Sequence, residues 1–292
     1  MPPVRLMSDL LRVEDLWVRF PKRGGGIFEA VRGISFSVGR ERVGIVGESG
    51  SGKSLTGRAI LRLVRPPGEA TARTIAFEGV DLQTLTERQM RHVRGEKISM
   101  VMQDPKFSLN PVMTVGEQIQ ESYRLHTGAG RGEARARMFE MLEAVQIRDA
   151  ERVARLYPHE VSGGMGQRIM IAMMLAPDPA LLIADEPTSA LDVTVQMRVL
   201  QILDRLVRER GMGLIFISHD LNLVATFCDR VIIMYGGRIV ETCRANALHQ
   251  AKHPYTRALL NSLPRLDEPM HRLEVMRRDP AWLEEPSIDA HA

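Results

Sequence analysis

The residues with the clearest chemical meaning are Gly47 to Ser54, GESGSGKS. Gly47, Gly52, Lys53 and Ser54 satisfy the spacing G-x-x-x-x-G-K-[ST], with Glu48, Ser49, Gly50 and Ser51 between them. Glycines let the backbone wrap closely around phosphate oxygens, so that successive N–H groups point inward. Lys53 then bridges the β- and γ-phosphates, and Ser54 offers a hydroxyl to Mg²⁺. A second group is the apolar run LLIADE, which ends in Asp185 and Glu186. Carboxylates at the C-terminal end of a buried strand stand where open α/β sheets bind ligands. Asp185 suits the magnesium ion, and Glu186 suits polarising a water that attacks the γ-phosphate. Gln103 in VMQDP and His219 in FISHD also end apolar runs. The amide would ligate Mg²⁺ or the water, and the imidazole would bond the γ-phosphate. Taken alone, each of the two reads more simply as structural.

The stretch VSGGMGQR, residues 161–168, brings Ser162, Gly163 and Gly164 to the start of an apolar run reaching about Ala176. It has no lysine and follows no apolar strand, so it is not a second loop of the first kind. It offers N–H groups, a helix dipole and a hydroxyl, which together favour an anion. Lying far from the first loop in sequence, it suits capping a γ-phosphate bound by another molecule. The plainer alternative is a helix cap with glycines for close packing.

These groups need elements to hold them. RVGIVG (42–47) reads as a buried strand leading into the glycine loop. Leu55, Ala59, Ile60 and Leu63 follow at helical spacing, and the prolines at Pro66 are expected to end that helix. TIAFEG (74–79) and KISMVMQ (97–103) read as strands, and TERQ (86–89) as a capping box. Between about Pro105 and Glu160 the strand signal disappears, and Met138, Met141, Leu142 and Val145 share a helical face. Strands return at ALLIADE and GLIFIS, separated by a helix with Val195, Val199, Ile202, Leu203 and Leu206 on one side. RVIIMYGGRIVE (230–241) reads as a hairpin turning at Gly236-Gly237. Alternating strands and helices predict a mainly parallel sheet. The tail from about Pro264, rich in Pro, Arg, Asp and Glu, is expected to pack loosely.

Composition narrows the class. The chain has 292 residues, 44% hydrophobic and 26% charged, with a net charge of +3. No block of like charge marks a nucleic-acid arm. Cys228 and Cys243 have no metal-ligand spacing and are expected to be two reduced thiols. No apolar run approaches the ~20 residues of a membrane span.

The ordered set GESGSGKS, MVMQDP, VSGGMGQR, LLIADEP, SALD and ISHD resembles the nucleotide-binding subunit of ABC transporters. QDPKFSLNPVMTVGEQI, LYPHEVSGGMGQRIMIAMML and HPYTRALL are similar to the peptide/nickel importer branch. The resemblance implies a P-loop NTPase core of mainly parallel sheet, with an N-terminal antiparallel β portion and an inserted α-helical subdomain. Its expected bounds are 10–104 with 166–245 for the RecA-like core, 105–165 for the helical subdomain and 246–292 for the tail. It implies ATP and Mg²⁺ as ligands, and an ATPase that powers import of peptides or a related small solute, nickel included. VSGGMGQR takes the part of the signature motif, which closes over ATP held by the opposite subunit. Met165 stands where the family usually has glutamine, leaving Ser162, Gly163 and Gly164 to make the polar contacts. Asp192 takes the part of the D-loop and His219 that of the switch histidine. Phe20 is the expected adenine-stacking aromatic, with Phe28 as competitor. The implied partners are a second nucleotide-binding subunit (a copy or a paralogue), two transmembrane permease subunits and, indirectly, an extracytoplasmic solute-binding protein, with no nucleic acid. The implied location is peripheral, on the cytoplasmic face of the bacterial inner membrane. DNA-repair relatives carry coiled-coil or zinc insertions, which this sequence lacks. An export subunit would share the same catalytic residues.

Overall fold

The computed structural model describes residues 9–103, 108–189, 191–262, 279–283 and 285–289. The strands, in chain order, are β1 (Leu11–Pro21), β2 (Ile27–Val38), β3 (Arg42–Val46), β4 (Glu69–Thr71), β5 (Thr74–Phe77), β6 (Val80–Asp81), β7 (Ile98–Val101), β8 (Leu181–Asp185), β9 (Gly213–Ser218), β10 (Arg230–Tyr235), β11 (Arg238–Arg244) and β12 (Ile288–Asp289). The chain divides into two compact units, one built from residues 1–83 and 216–292, the other from 84–215, with β9 spanning the division.

The first unit contains an antiparallel sheet in the order β2-β1-β5-β6, with β4 pairing on β1. Alternation drives it: Leu11, Val13, Leu16 and Val18 are buried while Arg12 faces out. The same unit holds β3 and β10 side by side in parallel, then β11 antiparallel to β10. The hairpin between the last two turns at Gly236 and Gly237, which take φ of 55° and 85° as a tight turn requires. β3 is uniformly apolar after its first residue, as a strand covered on both faces should be. Its start is fixed by Arg42, whose guanidinium grips the Asp229 carboxylate at 2.6 and 3.1 Å.

In the second unit β7 and β8 run parallel, in register Val101↔Ala184. No strand lies between them in sequence among the described residues; helices Val115–Thr127, Arg131–Ala144, Ala150–Val153 and Gly163–Leu175 fill that interval. The expected face of Met138, Met141, Leu142 and Val145 is buried, as are Val199, Ile202, Leu203 and Leu206 on helix Val193–Arg210. Thr86 forms the expected capping box with Gln89. Among the described residues no helix is long and apolar enough to cross a membrane.

Two expectations are corrected. The helix after the glycine loop ends at Ile60, well before Pro66, and Leu63 lies outside it with 43% exposure. Arg62 takes a left-handed φ of 54°, and the Leu63 N–H bonds back to the Arg58 carbonyl, a closure usually made with glycine. The tail is also not uniformly loose. Its stretch 264–278 lies outside the described residues, but Trp282 packs on Tyr235 and Tyr255, and β12 pairs in parallel with β11.

Candidate nucleotide site

β3 delivers the chain into the glycine loop, and helix Lys53–Ile60 leaves it. Lys53 is 6% exposed, and its ammonium donates to the carbonyls of Gly47 and Glu48, both at 2.8 Å. A buried ammonium needs such partners. The two carbonyls hold it against the glycine loop. Two positions require glycine. A Cβ on Gly47 would overlap the Met234 carbonyl, and Gly52 has φ of 101° with Ala30 O 2.6 Å from where a Cβ would stand. Ser54 occupies the first turn of the helix, half-buried.

In the other unit, Asp185 ends β8 and is buried, and Glu186 follows it half-exposed. The parallel register carries Gln103 and Glu186 two residues past Val101 and Ala184, and Gln103 Nε2 donates to Glu186 Oε2 at 3.1 Å. Glu186 has a left-handed φ of 48°, a strained state for a residue with a side chain. Its carbonyl is clamped by the Ser189 N–H and hydroxyl at 3.3 and 3.2 Å. Ser189 thus fixes the Glu186 backbone and the Gln103 amide holds its carboxylate just past the strand end.

Ser162 caps helix Gly163–Leu175, its hydroxyl accepting the Met165 N–H at 3.4 Å. Ser162 and Gly163 are exposed, while Gly164 faces Val195 closely enough that a Cβ would collide. Gly164 thus has a packing reason and Gly163, with nothing within 4 Å, has none. Asp192 caps helix Val193–Arg210 through the Val195 N–H at 3.0 Å. His219, in the first unit, is exposed just past β9. Phe20 and Phe28 are cross-strand partners on β1 and β2, so both stand on one face. Phe20 packs against Gly68, and Phe28 is 48% exposed.

Sequence reasoning missed the contribution of Tyr255. Tyr255 accepts the Glu48 N–H through its hydroxyl at 3.1 Å. No local pattern signals it, because the partner lies 207 residues away. The capping box of Thr114 and Glu117 was missed as well, although its T-x-x-E spacing carries the signal.

Within each unit the donors suit a nucleotide with a hard cation: the first unit offers the Ser54 hydroxyl, and the second the Gln103 amide and Asp185 carboxylate oxygens, each a kind of ligand magnesium takes. The described residues contain no cluster of three or more His, Cys, Asp or Glu able to hold a metal by themselves.

Comparison with known proteins agrees with this geometry. Residues 31–189 match the model of the family described as ABC transporter, and residues 240–288 match the oligopeptide/dipeptide transporter C-terminal region. A Brucella abortus protein named for peptide import as an ATP-binding protein is 46% identical over 282 residues, covering 96% of this chain and 84% of its own. The glutathione import ATP-binding protein GsiA of Escherichia coli is 48% identical over 281 residues, 94% of this chain and 45% of that longer one. The ATP-binding cassette MJ0796, in a dimeric post-hydrolysis state bound to ADP and Pi, aligns with a TM-score of 0.70 at 29% identity, over 80% of this chain and 98% of that one. The chain belongs to the ABC transporter family. It is an ATP-binding cassette ATPase.

Proposed function

We propose that this ATPase powers an import complex for peptides or a related small solute, and that it hydrolyses ATP only when two cassettes close head to tail. The match of residues 240–288 and the names of the relatives support the cargo class. The observation that carries the mechanism is the Gln103–Glu186 pair, a carboxylate held in a strained backbone at a strand end.

In this reading the N–H groups of Gly47 to Ser54 and the Lys53 ammonium bind the β- and γ-phosphates. Ser54, Gln103 and Asp185 would hold Mg²⁺, which would supply positive charge to neutralise the phosphate oxygens. The adenine stacks at Phe20, with Phe28 beside it on the same face. Glu186 orients the attacking water and takes its proton as the water oxygen bonds the γ-phosphorus and the bond from that phosphorus to the β,γ-bridging oxygen breaks, leaving ADP and phosphate. His219 bonds the γ-phosphate and reports its presence. Ser162, Gly163, Gly164 and Met165 cap the γ-phosphate held by the opposite subunit, while Asp192 crosses the junction. Catalysis is then mostly positioning and electrostatics. Residues 105–165 serve as the helical subdomain that engages one of two permease subunits, and 246–292 as the importer-type tail. The second cassette is a copy of this chain or a paralogue, and a solute-binding protein delivers cargo from outside. The chain then sits peripherally on the cytoplasmic face of the bacterial inner membrane.

Glu186→Gln tests the mechanism. It should cut turnover about 100-fold or more, the general-base share, and trap an ATP-bound dimer visible by size-exclusion chromatography. Ordinary turnover by that variant would remove Glu186 from its role.

A further inference from the structure

The peptide unit joining Gly47 to Glu48 is held from both ends. Its carbonyl accepts the Lys53 ammonium at 2.8 Å, and its N–H donates to the Tyr255 hydroxyl at 3.1 Å. The next carbonyl, of Glu48, also accepts Lys53. A peptide unit is planar, so fixing the direction of its N–H fixes that of its C=O. Bonds accepted and donated by one amide also polarise each other.

The hydroxyl comes from a well-braced side chain. Tyr255 is fully buried, with its ring 4.4 Å from that of Tyr235 and 5.6 Å from that of Trp282. The turn that feeds it is pinned as well. The buried Glu241 carboxylate accepts the N–H groups of Lys252 and His253, and His253 Nδ1 accepts the Tyr255 N–H at 3.2 Å. Trp282 and Leu283 come from the C-terminal segment, and Leu283 lines the same small cavity as Glu48 to Ser51.

We propose that Tyr255 is a positioning residue of the phosphate loop. Its hydroxyl sets the peptide plane that holds Lys53, and Trp282 of the C-terminal segment backs its ring. This rests on the reading that Gly47 to Ser54 hold the triphosphate.

The test uses the full chain, with the non-hydrolysable ATP analogue AMPPNP and with AMP as probes. Tyr255→Phe keeps the ring and removes only the hydroxyl. It should weaken AMPPNP binding about fivefold, the effect of one ordinary hydrogen bond, and leave AMP unchanged, because AMP lacks the β- and γ-phosphates that Lys53 contacts. In a Lys53→Ala background the same change should cost nothing further. Equal AMPPNP affinity in wild type and Tyr255→Phe overturns the proposal, as does equal weakening of both probes, which would mean general loosening. A Lys53→Ala chain that binds AMPPNP like wild type overturns the reading of the loop itself. Should Tyr255→Phe fail to fold, Trp282→Leu takes its place: about twofold weaker AMPPNP with AMP unchanged supports the brace, and no change overturns it.

Discussion

Two helix N-termini in this molecule favour anions, and they are built differently. The one at Lys53 carries its own buried cation, held on the Gly47 and Glu48 carbonyls, and Tyr255 bonds the Glu48 N–H. The one at Gly163 is open. It has a serine cap and an exposed glycine with no neighbour within 4 Å, and its nearest cation in sequence, Arg168, is turned back onto the Gly164, Val145 and Gln146 carbonyls. A site that carries its own countercharge can hold a polyanion unaided. A site that offers mainly exposed N–H groups and a dipole, which favour charge by about 1 kcal/mol at an exposed terminus, suits an anion that something else already holds. On the proposed reading, that asymmetry is what a clasp shared by two subunits requires.

The comparison can be broken most sharply at Gly163. Gly163→Arg should fold, since its surroundings are open, and should lower steady-state hydrolysis about 100-fold by blocking approach of the second subunit; a general base left idle forfeits a factor of that order. ATP binding by the isolated chain, measured calorimetrically, should not change. Near-normal turnover would make the open terminus a mere cap. Lys53→Ala should do the reverse, weakening ATP binding by the isolated chain about 10- to 100-fold, as expected for lost charge-assisted bonds. Ser162→Ala is expected to cost about 1 kcal/mol of stability as a lost cap and to lower the melting temperature by about 2–4 °C.

The brace under the first site predicts a pH effect. Burial lowers the His253 pKa, outweighing the Glu241 and Glu285 charges that raise it. The unfolded chain therefore takes up the proton more readily. The contribution of His253 is fully present above its unfolded pKa of about 6.5 and is lost as pH falls below that value. His253→Asn, which can still cap the following helix, should flatten the melting temperature between pH 7 and pH 5; an unaltered profile would discount the residue. The smallest effect concerns the thiols. Burial pushes Cys243 up to about 11 and Cys228 higher still. Because the thiolate is the reactive form, iodoacetamide at neutral pH should label both only after unfolding. Rapid labelling of the folded chain would contradict their burial.

Much of the first site was legible because its chemistry is local. GESGSGKS, its preceding apolar strand and its following helix lie within about twenty residues, and each step has a short-range physical cause. The capping box at Thr86 and the Gly236-Gly237 hairpin were legible for the same reason. The helix end at Ile60 was not. Its closure uses Arg62 in a left-handed conformation, where glycine would have signalled the stop, and the apolar Leu63 kept the helical period going. The packing of Trp282 was hidden because proline and charge dominate the tail around it.

The sequence by itself determined which groups could do chemistry: the lysine in its glycine loop, the paired carboxylates, the serine cap and the order of strands and helices. Only the tertiary structure decided how those groups are held. It placed the Gln103 amide on the Glu186 carboxylate, forced Glu186 into a strained backbone, and brought Tyr255 to the Glu48 amide. Those are contacts between residues far apart in the chain. No local propensity encodes them, because they form only when a sheet register or an aromatic cluster closes.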